Sequence, residues 1–338
     1  MPLLPYLERL AAREDLTASD AEAAMSQILE GRVSSSQVSA FLMGLRVKGE
    51  TVDELVGFAR VMRRMATPID VGLPGETLLD TCGAGGDGAD TFNISTVAAF
   101  VVAGAGVRVA KHGNRAVSSP LGCGSVDLLD SLGIVLPATP EDTARAIREV
   151  GIGFIFAPGV HTAMKHAAPV RAELRLRTVF NLLGPLTNPA NANVQLVGAP
   201  SERTAGLLAG ALAVLGLKRG FVVHGSDGLD EITVTGPSVV YEIRNGEVER
   251  RTLEPSDFAL RTATRDELRG GEKLRNCDIA QSVLNGAQGA PRDIVIANAA
   301  AALVAAGKVE TFLEGAAIAA VSIDSGAARR KVAELAAL

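Results

Sequence analysis

A glycine-rich segment with an aspartate in it is the clearest chemical feature of the sequence. The run LLDTCGAGGDGADTFNIST, residues 78–96, places Gly83, Gly85, Gly86 and Gly88 between a strand-like stretch and a helix. Backbone amides can approach an anion closely where side chains are absent, and a helix N-terminus adds a favourable dipole. The segment therefore predicts a phosphate-binding loop.

Two other interpretations of this loop can be compared with the residues around it. The glycine spacing also matches the dinucleotide fingerprint, but a polar stretch, 90–96, delays the helix, and the next strand ends in Lys111 where that fingerprint needs an acid. Asp87 would repel a bare phosphate, whereas it suits ribose hydroxyls or a nearby metal ion. A helix cap by Ser95 or Thr96 beside an incidental turn is the simpler alternative.

A second loop, KHGNRAVSS, follows the next strand-like stretch. Lys111 and Arg115 bring positive charge, Gly113 permits a tight turn, and Ser118 and Ser119 add hydroxyl donors. Two anion-binding loops that face one cleft indicate a substrate with phosphate at both ends. Phosphoribosyl pyrophosphate is such a molecule.

An acidic pair and an arginine supply the remaining chemistry. Asp230 and Glu231, in HGSDGLDEIT, would be a solvated turn in most proteins, but Mg²⁺ on a diphosphate takes one or two carboxylates together with water and substrate oxygens. Ser95 and Thr96, in the first loop, offer between them one possible metal-ligating hydroxyl. One of Arg171, Arg175 and Arg177 could bind a carboxylate bidentately, and a surface ion pair is the ordinary alternative for each.

The elements that must position these loops follow an α/β pattern from residue 77 onward. Apolar strand-like stretches alternate with Ala-rich helical stretches, which predicts βαβ units and a mainly parallel sheet. Ligands of such sheets bind at the carboxyl ends of the strands, where both loops lie. The predicted strands are 78–81, 107–110, 152–156, 194–197 and 221–224, with a hairpin over 232–243. The predicted helices are 96–105, 126–131, 140–150, 202–215, 292–306, 310–321 and 326–336.

The first 68 residues are predicted to be wholly helical. Ser19-x-x-Glu22 and Thr51-x-x-Glu54 both match the capping-box pattern that opens a helix. We expect a helical domain over 1–70, joined by a segment near 165–190, and an α/β domain over 71–338. The helical domain carries no chemistry of its own, and its apolar face suits a subunit interface.

Composition narrows the class of protein. The 338 residues are 47% hydrophobic, which is ample for a core, and the net charge of −5 argues against a general nucleic-acid or membrane-surface binder. The three cysteines are scattered without metal-ligand spacing, as in a reducing compartment. No signal peptide or apolar run long enough to span a bilayer is recognised. A cytoplasmic protein with small-molecule partners is expected.

Four motifs together carry a family resemblance. GAGGDGADTFNIST, KHGNRAVSS, FAPGVHTAMKHAAPVR and RTVFNLLGPLTNPA, in this order, resemble the anthranilate phosphoribosyltransferases. The resemblance implies a fold of the nucleoside phosphorylase/phosphoribosyltransferase type, a homodimer formed through the helices, and phosphoribosyl pyrophosphate with Mg²⁺ between the domains. The implied reaction transfers the phosphoribosyl group to the amine of anthranilate, giving N-(5-phosphoribosyl)anthranilate and pyrophosphate in tryptophan biosynthesis.

The resemblance also implies three groups of site residues. The anthranilate site comprises Gly83, Asn114 and Arg171, and the metal site comprises Ser95, Asp230 and Glu231. No catalytic residue is assigned, because the aromatic amine is a neutral nucleophile that requires positioning and leaving-group stabilisation rather than a base. The sugar-phosphate site comprises Gly83, Gly86, Asp87, Thr91, Asn93, Ile94, Ser95, Thr96, Lys111, His112, Gly113, Asn114, Arg115, Ala116, Val117, Ser118, Ser119 and Ser125.

The sequence departs from the family pattern at three places. Ala84 stands in GAGGD where a threonine is usual, and Arg175 stands where glycine is usual. The stretch PLGCGSVD is longer than its counterpart, which favours Ser125 over Cys123 as the last phosphate contact. His161 is expected at the edge of the aromatic substrate, and His166 is expected to serve packing alone.

Two other functions remain as alternatives. A pyrimidine-nucleoside phosphorylase has a related fold and a similar KHGN loop, but it would use free phosphate and a nucleoside. A non-enzymatic, nucleic-acid-binding relative is the second, and the net charge of −5 speaks against it. An NAD-binding protein fits less well, because the helix is delayed and an acid is missing after the next strand.

Overall fold

The computed structural model describes residues 3–115 and 123–338, and a seven-stranded sheet forms its centre. In spatial order the strands are β3-β2-β1-β4-β5-β6-β7; β1 to β5 run parallel, and β6 and β7 are antiparallel to their neighbours. The predicted mainly parallel sheet is thus confirmed. The strands are β1 (Leu78–Gly83), β2 (Arg108–Gly113), β3 (Ile152–Phe156), β4 (Val194–Gly198), β5 (Arg219–Gly225), β6 (Ser238–Arg244) and β7 (Glu247–Leu253).

The predicted hairpin over 232–243 is wrong in its position. The hairpin consists of β6 and β7 and turns at Asn245 and Gly246, whose φ values of 52° and 86° are both positive, as in the turns that suit hairpin twist. Residues 232–234 are not a strand. The side chain of Asn298 bonds both backbone groups of Ile232, so these groups are not available to a sheet ladder.

Helices cover both faces of the sheet, and the predicted helical stretches lie within one to three residues of the observed ones at most of their ends. Within the described ranges, no helix is long and apolar enough to cross a membrane. The helices are α1 (Leu4–Ala11), α2 (Ala18–Leu29), α3 (Ser35–Lys48), α4 (Val52–Met65), α5 (Ile94–Gly104), α6 (Ser125–Ser131), α7 (Pro140–Glu149), α8 (Ala157–Val160), α9 (Ala168–Leu174), α10 (Phe180–Leu183), α11 (Glu202–Val214), α12 (Lys273–Leu284), α13 (Ala290–Ala305), α14 (Phe312–Asp324) and α15 (Ala327–Ala336), with short 3₁₀ helices at Thr162–His166, Gly184–Leu186, Pro255–Phe258 and Arg265–Leu268.

The two predicted helix starts in the N-terminal region have different outcomes. The Thr51–Glu54 capping box is confirmed, because Glu54 N donates to Thr51 Oγ1 at 3.3 Å and Thr51 N donates to a Glu54 carboxylate oxygen at 3.0 Å. The capping box predicted at Ser19 is wrong. Helix α2 begins earlier, and Thr17 caps it by accepting from Asp20 N at 3.2 Å. The Thr17 hydroxyl, two residues upstream of Ser19, already caps the first free amides of the helix.

Alternating side chains of the sheet belong to two separate hydrophobic clusters. Leu196 and Phe221 pack in the cluster that contains α5 and α13, whereas Val197 and Val222 pack in the cluster that contains α2 to α4 and α11. The second cluster also includes several buried residues of the segment 167–186. The chain between β3 and β4 therefore packs on the N-terminal helices. The division at residue 70 stays a prediction, because the two units share this core.

The chain reverses its direction across the sheet beside β1. From β1 it proceeds outward through β2 and β3, and it then returns to place β4 on the other side of β1. The carboxyl ends of β1 and β4 pair at Gly83 and Gly198. Such a switch point leaves a crevice between the loops that follow the two strands. The glycine-rich loop lies at this crevice.

Candidate active site

The glycine-rich loop leaves β1 in a conformation that suits glycine. Gly85, Gly86 and Gly88 have φ values of 61°, 81° and 65°, which lie in the left-handed region that side chains disfavour. Ala84 N donates to the carbonyl of Gly198 at 2.9 Å and fixes the loop to the end of β4. The loop therefore presents backbone amides at the crevice, as an anion site requires.

The acidic pair lies against this loop, although 145 residues separate Gly85 from Asp230. Gly85 N donates to Asp230 Oδ2 at 3.0 Å, and Ser95 N donates to Glu231 Oε1 at 3.2 Å. A Cβ on Gly83 would lie 2.7 Å from Asp230 Oδ2, so a side chain at this position would displace that carboxylate. The structure thus brings together all three residues of the predicted metal site.

The carboxyl groups of the pair hold their protons more tightly than usual. Burial, followed by the charge of Asp87, raises the pKa of Asp230 to about 7. Burial, followed by the charge of Asp230, raises the pKa of Glu231 to about 8. A divalent cation would relieve this crowding of negative charge. Across the described residues no group of three or more acidic, His or Cys side chains makes a complete metal site, so an ion would take further ligands from water and substrate, as Mg²⁺ does.

A buried polar network lies beneath the loop. Lys111 is 2% exposed, and its ammonium donates to the carbonyl of Thr81 and to Ser95 Oγ, the latter at 3.2 Å. Fully buried Asp80 accepts from His112 N at 3.1 Å and from Asn188 Nδ2 at 2.8 Å. Burial lowers the pKa of Lys111, and the charge of Asp80 opposes that shift. Lys111 therefore supports Ser95 from below rather than facing the crevice.

Helix α5 begins at the far end of the loop. Its N-cap is Asn93, whose side chain makes no capping hydrogen bond, so the alternative of a helix cap by Ser95 or Thr96 is wrong. Asn93 Nδ2 donates to the Cys123 carbonyl at 2.6 Å, and its buried Oδ1 has no partner among the described residues. The side chain of Ile94 is buried in the core, so only its backbone can reach a ligand.

Two histidines meet where β2 ends and directly after α8. The rings of His112 and His161 have centroids 5.2 Å apart, and burial lowers the pKa of each to about 4, so both are neutral at pH 7. Neither Nε2 atom has a hydrogen-bond partner in the described parts of the chain. His166 lies against Gly31, where a Cβ would be 2.7 Å from its Nδ1, in agreement with a packing role.

Arg171, on α9, has the environment of a ligand-binding cation. Its half-buried guanidinium lies 5.3 Å from the centroid of the Phe180 ring, and within 3–115 and 123–338 it makes no hydrogen bond or ion pair. Burial lowers its pKa. Arg175 ends the same helix with a φ of 49°, the left-handed conformation that glycine would take there, so the turn is kept despite the substitution.

The second loop is described only in part. Ala116, Val117, Ser118 and Ser119 of the predicted sugar-phosphate site lie outside the described residues. Arg115 is exposed and bonds Asp127 and Asp130 at 2.9 and 2.8 Å, so its charge is directed to α6.

The start of α6 bears on the choice between Ser125 and Cys123. Ser125 Oγ donates to the carbonyl of Asn114 at 3.2 Å, beside the end of β2. The sulfur of Cys123 lies 3.7 Å from the carbonyl of the adjacent Gly124. This placement favours Ser125 as the phosphate contact, and the assignment stays a prediction.

Comparisons with known proteins agree with this geometry. The glycosyl transferase family helical bundle domain matches residues 4–66, and the glycosyl transferase family a/b domain matches residues 75–329. The anthranilate phosphoribosyltransferase of Solibacter usitatus is 67% identical over 336 residues, which cover 99% of this chain and 98% of that protein. The chain belongs to the anthranilate phosphoribosyltransferase family. It is an enzyme, a glycosyltransferase that transfers a phosphoribosyl group to anthranilate.

Solved structures of anthranilate phosphoribosyltransferases share the whole fold. The Thermus thermophilus enzyme superposes with a TM-score of 0.91 at 42% identity, covering 98% of both chains. The Saccharomyces cerevisiae enzyme, in complex with PRPP and Mg, has a TM-score of 0.88 at 29% identity and covers 98% of this chain and 96% of its own. The resemblance stated from the motifs is confirmed, and the nucleoside phosphorylase and nucleic-acid-binding alternatives are not favoured.

Two residues near the anthranilate phosphoribosyltransferase site were given no role from the sequence motifs. Arg177 packs on the glycine-rich loop and donates to the Ala84 carbonyl at 3.1 Å. Asn298, on α13, holds Ile232 directly after the acidic pair. The arginine of RTVFN was within a motif that had been recognised, so that signal was present. Nothing in the Ala-rich sequence around Asn298 indicates its contact.

Proposed function

We propose that the crevice between β1, β2 and β4 transfers the phosphoribosyl group from 5-phosphoribosyl 1-pyrophosphate to the amine of anthranilate, as a step of tryptophan biosynthesis. The observation that carries this proposal is the convergence of the glycine-rich loop with the acidic pair. The hydrogen bonds from Gly85 N to Asp230 and from Ser95 N to Glu231 bring the glycine-rich loop and the two carboxylates together. A diphosphate with its cation needs both.

The donor would lie across the two loops. The amides of residues 83–88 suit the diphosphate, and Asp87 and the unsatisfied Oδ1 of Asn93 suit ribose hydroxyls as acceptors. The end of β2 and Ser125 suit the far phosphate. Thr91, Thr96 and Gly113 are also predicted to contact the donor. Because the side chain of Thr96 is buried, Thr96 would contact it mainly through its backbone.

The metal site would consist of Ser95, Asp230 and Glu231. Mg²⁺ when bound offsets the negative charge that develops on the departing diphosphate. Asp230 and Glu231 would be ionised when they bind the ion. The ammonium of Lys111 donates a hydrogen bond to the Ser95 hydroxyl and keeps it in place. The glycine-rich amides add fixed dipoles that need no rearrangement as the charge develops.

The acceptor would lie beside Arg171. Its guanidinium is half-buried and has spare donors, which suits the carboxylate of anthranilate. The predicted anthranilate contacts of Gly83 and Asn114 belong to the same proposed acceptor site. The amine nitrogen bonds to the anomeric carbon as the bond from that carbon to the diphosphate oxygen breaks on the opposite face, with inversion, and the nitrogen then releases one proton to water. Because the free amine is neutral at physiological pH, no strong base is required. The chain then acts by positioning both reactants and excluding competing orientations.

Three further features belong to this proposal. A homodimer through the helical domain is supported by exposed apolar side chains there, Leu4 at 46% and Val47 at 67% exposure. A cytoplasmic location is supported by the free thiols of Cys82, Cys123 and Cys277. Small molecules, rather than nucleic acid or membranes, are the proposed partners.

A fluorescence assay of anthranilate consumption tests the activity. Product should form only when anthranilate, phosphoribosyl pyrophosphate and Mg²⁺ are all present, and omission of any one should abolish it. Cleavage of thymidine by phosphate without consumption of anthranilate would instead support the nucleoside phosphorylase alternative.

Arg171→Ala tests the acceptor site. The KM for anthranilate should rise by about tenfold or more, since a charge-assisted hydrogen bond contributes about 1.5–3 kcal/mol, while the KM for phosphoribosyl pyrophosphate changes little. Arg175→Ala is the matched control, because this exposed arginine lies one turn away on the same helix end. Equal effects of Arg171→Ala on both KM values would remove Arg171 from the acceptor site.

A further inference from the structure

Arg177 lies directly on the glycine-rich loop. A Cβ placed on Gly86 would overlap the guanidinium of Arg177, so the flat cation covers the place where the loop has no side chain. Arg177 Nη2 donates to the carbonyl of Ala84 at 3.1 Å. The same loop carries the backbone amides that suit the diphosphate. A cation and an amide cluster therefore border the same space.

The backbone of Arg177 is held by a residue of the helical domain. Arg46, on α3 of the helical domain, donates through Nη1 to the carbonyl of Arg177 at 2.7 Å. The next residue, Thr178, donates its N–H to the side chain of Asn181 at 3.0 Å. These two contacts fix the chain at the start of α10. The arginine side chain thus extends to the loop from a backbone that is anchored by two hydrogen bonds.

Most of the N–H donors of Arg177 have no hydrogen-bond acceptor among the described residues. A guanidinium has five N–H donors, and in the described chain a single carbonyl, that of Ala84, accepts a hydrogen bond from it. Burial lowers the pKa of Arg177, and the charge of Arg46 acts in the same direction, whereas Asp230 and Asp87 favour its charged form through space. Arg177 remains a cation, as arginines do in proteins, and it has spare donors beside the acidic pair.

We propose that Arg177 binds the diphosphate of phosphoribosyl pyrophosphate and stays bound to it as the leaving group departs. This inference rests on the proposed function and assigns a binding residue that the sequence motifs left without a role. The position over Gly86, beside Asp230, corresponds to the diphosphate end of the donor. Arg171, beside Phe180, serves the acceptor end, so the two arginines divide the two anionic groups between them.

A structural tether is the competing role for Arg177. A tether would fix the loop through the Ala84 carbonyl alone, and its removal would weaken binding of every ligand and lower thermal stability. A diphosphate contact would weaken only ligands that carry the diphosphate. Inorganic diphosphate with Mg²⁺ and ribose 5-phosphate are two probes that separate these cases.

The experiment measures both probes by calorimetry on wild type, Arg177→Ala and Arg177→Lys. In Arg177→Ala the affinity for inorganic diphosphate with Mg²⁺ should fall about tenfold to a hundredfold, and that for ribose 5-phosphate should change less than about twofold. Arg177→Lys should recover part of the affinity, because it restores the charge without the planar fork. Arg175→Ala is the control and should bind both probes as wild type does.

Two results would overturn the inference. Equal loss of affinity for both probes in Arg177→Ala would identify a tether, and unchanged affinity for inorganic diphosphate would exclude contact. These outcomes are separate from those of the proposed function, which fails when the wild-type protein binds both probes but does not consume anthranilate with phosphoribosyl pyrophosphate and Mg²⁺.

Discussion

Substitution of Asn298 by alanine should weaken Mg²⁺ binding, although Asn298 is not one of the proposed metal ligands. Asn298 is fully buried on α13 and accepts from Ile232 N at 3.0 Å while it donates to Ile232 O at 2.9 Å. It also donates to the carbonyl of Ile294 at 2.9 Å. Because Ile232 directly follows Glu231, these bonds determine where the second carboxylate of the acidic pair lies.

The expected magnitude follows from the groups left unpaired. In Asn298→Ala the buried N–H and C=O of Ile232 lose their partners, at about 1–3 kcal/mol each, which sums to roughly 2–6 kcal/mol of unfolding free energy. The carbonyl of Ile294 keeps its helical bond. Groups that orient a metal ligand typically contribute about tenfold to a hundredfold in metal affinity or activity. The Mg²⁺ concentration for half-maximal activity should therefore rise by about tenfold.

Urea unfolding and a Mg²⁺ titration of activity measure the two effects. Ser322→Ala is the control, because Ser322 is also buried on a helix and donates to the carbonyl of Val101 at 2.7 Å in a different part of the core. It should lower stability and leave the Mg²⁺ dependence unchanged. If Asn298→Ala is destabilised yet needs no more Mg²⁺ than wild type, Asn298 supports the core alone and the reasoning is refuted.

Two more outcomes follow from the geometry of the acidic pair. Because Mg²⁺ binds ionised carboxylates and the pKa values of Asp230 and Glu231 are about 7 and about 8, apparent Mg²⁺ affinity should rise from about pH 6 to about pH 9 and then level off. Calorimetry in buffers of different ionisation enthalpy should detect the released protons, and a pH-independent affinity would contradict the shifts. Gly198→Ala would place a Cβ against the carbonyl of Asp230 and should abolish Mg²⁺-dependent turnover, whereas Gly159→Ala, whose Cβ would find only Phe156 at 3.9 Å, should remain active.

The raised pKa values of Asp230 and Glu231 also determine how the free energy of unfolding changes with pH. Without metal, the folded protein retains protons on Asp230 and Glu231 that the unfolded chain loses above about pH 4. Their contribution to stability therefore falls as pH rises from about 4 to about 8. His112 and His161 act in the opposite direction, since their lowered pKa values make stability fall as pH drops below about 6.5 toward 4.

Local patterns in the sequence were sufficient for the five parallel strands, most helices and the glycine-rich loop. The stretch ending at Gly83 alternates between the two core clusters, and the glycines that follow it take the left-handed conformation that their type permits. These properties depend on residues a few positions apart, so they can be inferred without the fold. The same locality explains the wrong cap at Ser19, where Thr17 offered an equivalent hydroxyl.

Tertiary structure alone decided how distant segments complete the site. The acidic pair reaches Gly85 and Ser95 across more than a hundred residues, because β4 and β5 place it beside the end of β1. The predicted strand over 232–234 was wrong for a related reason, since a side chain of α13 takes its backbone bonds. Arg177 likewise meets Gly86 only when the segment after α9 packs on the helical domain. The chemical groups were thus evident in the sequence, while their meeting depends on packing between elements that no local pattern encodes.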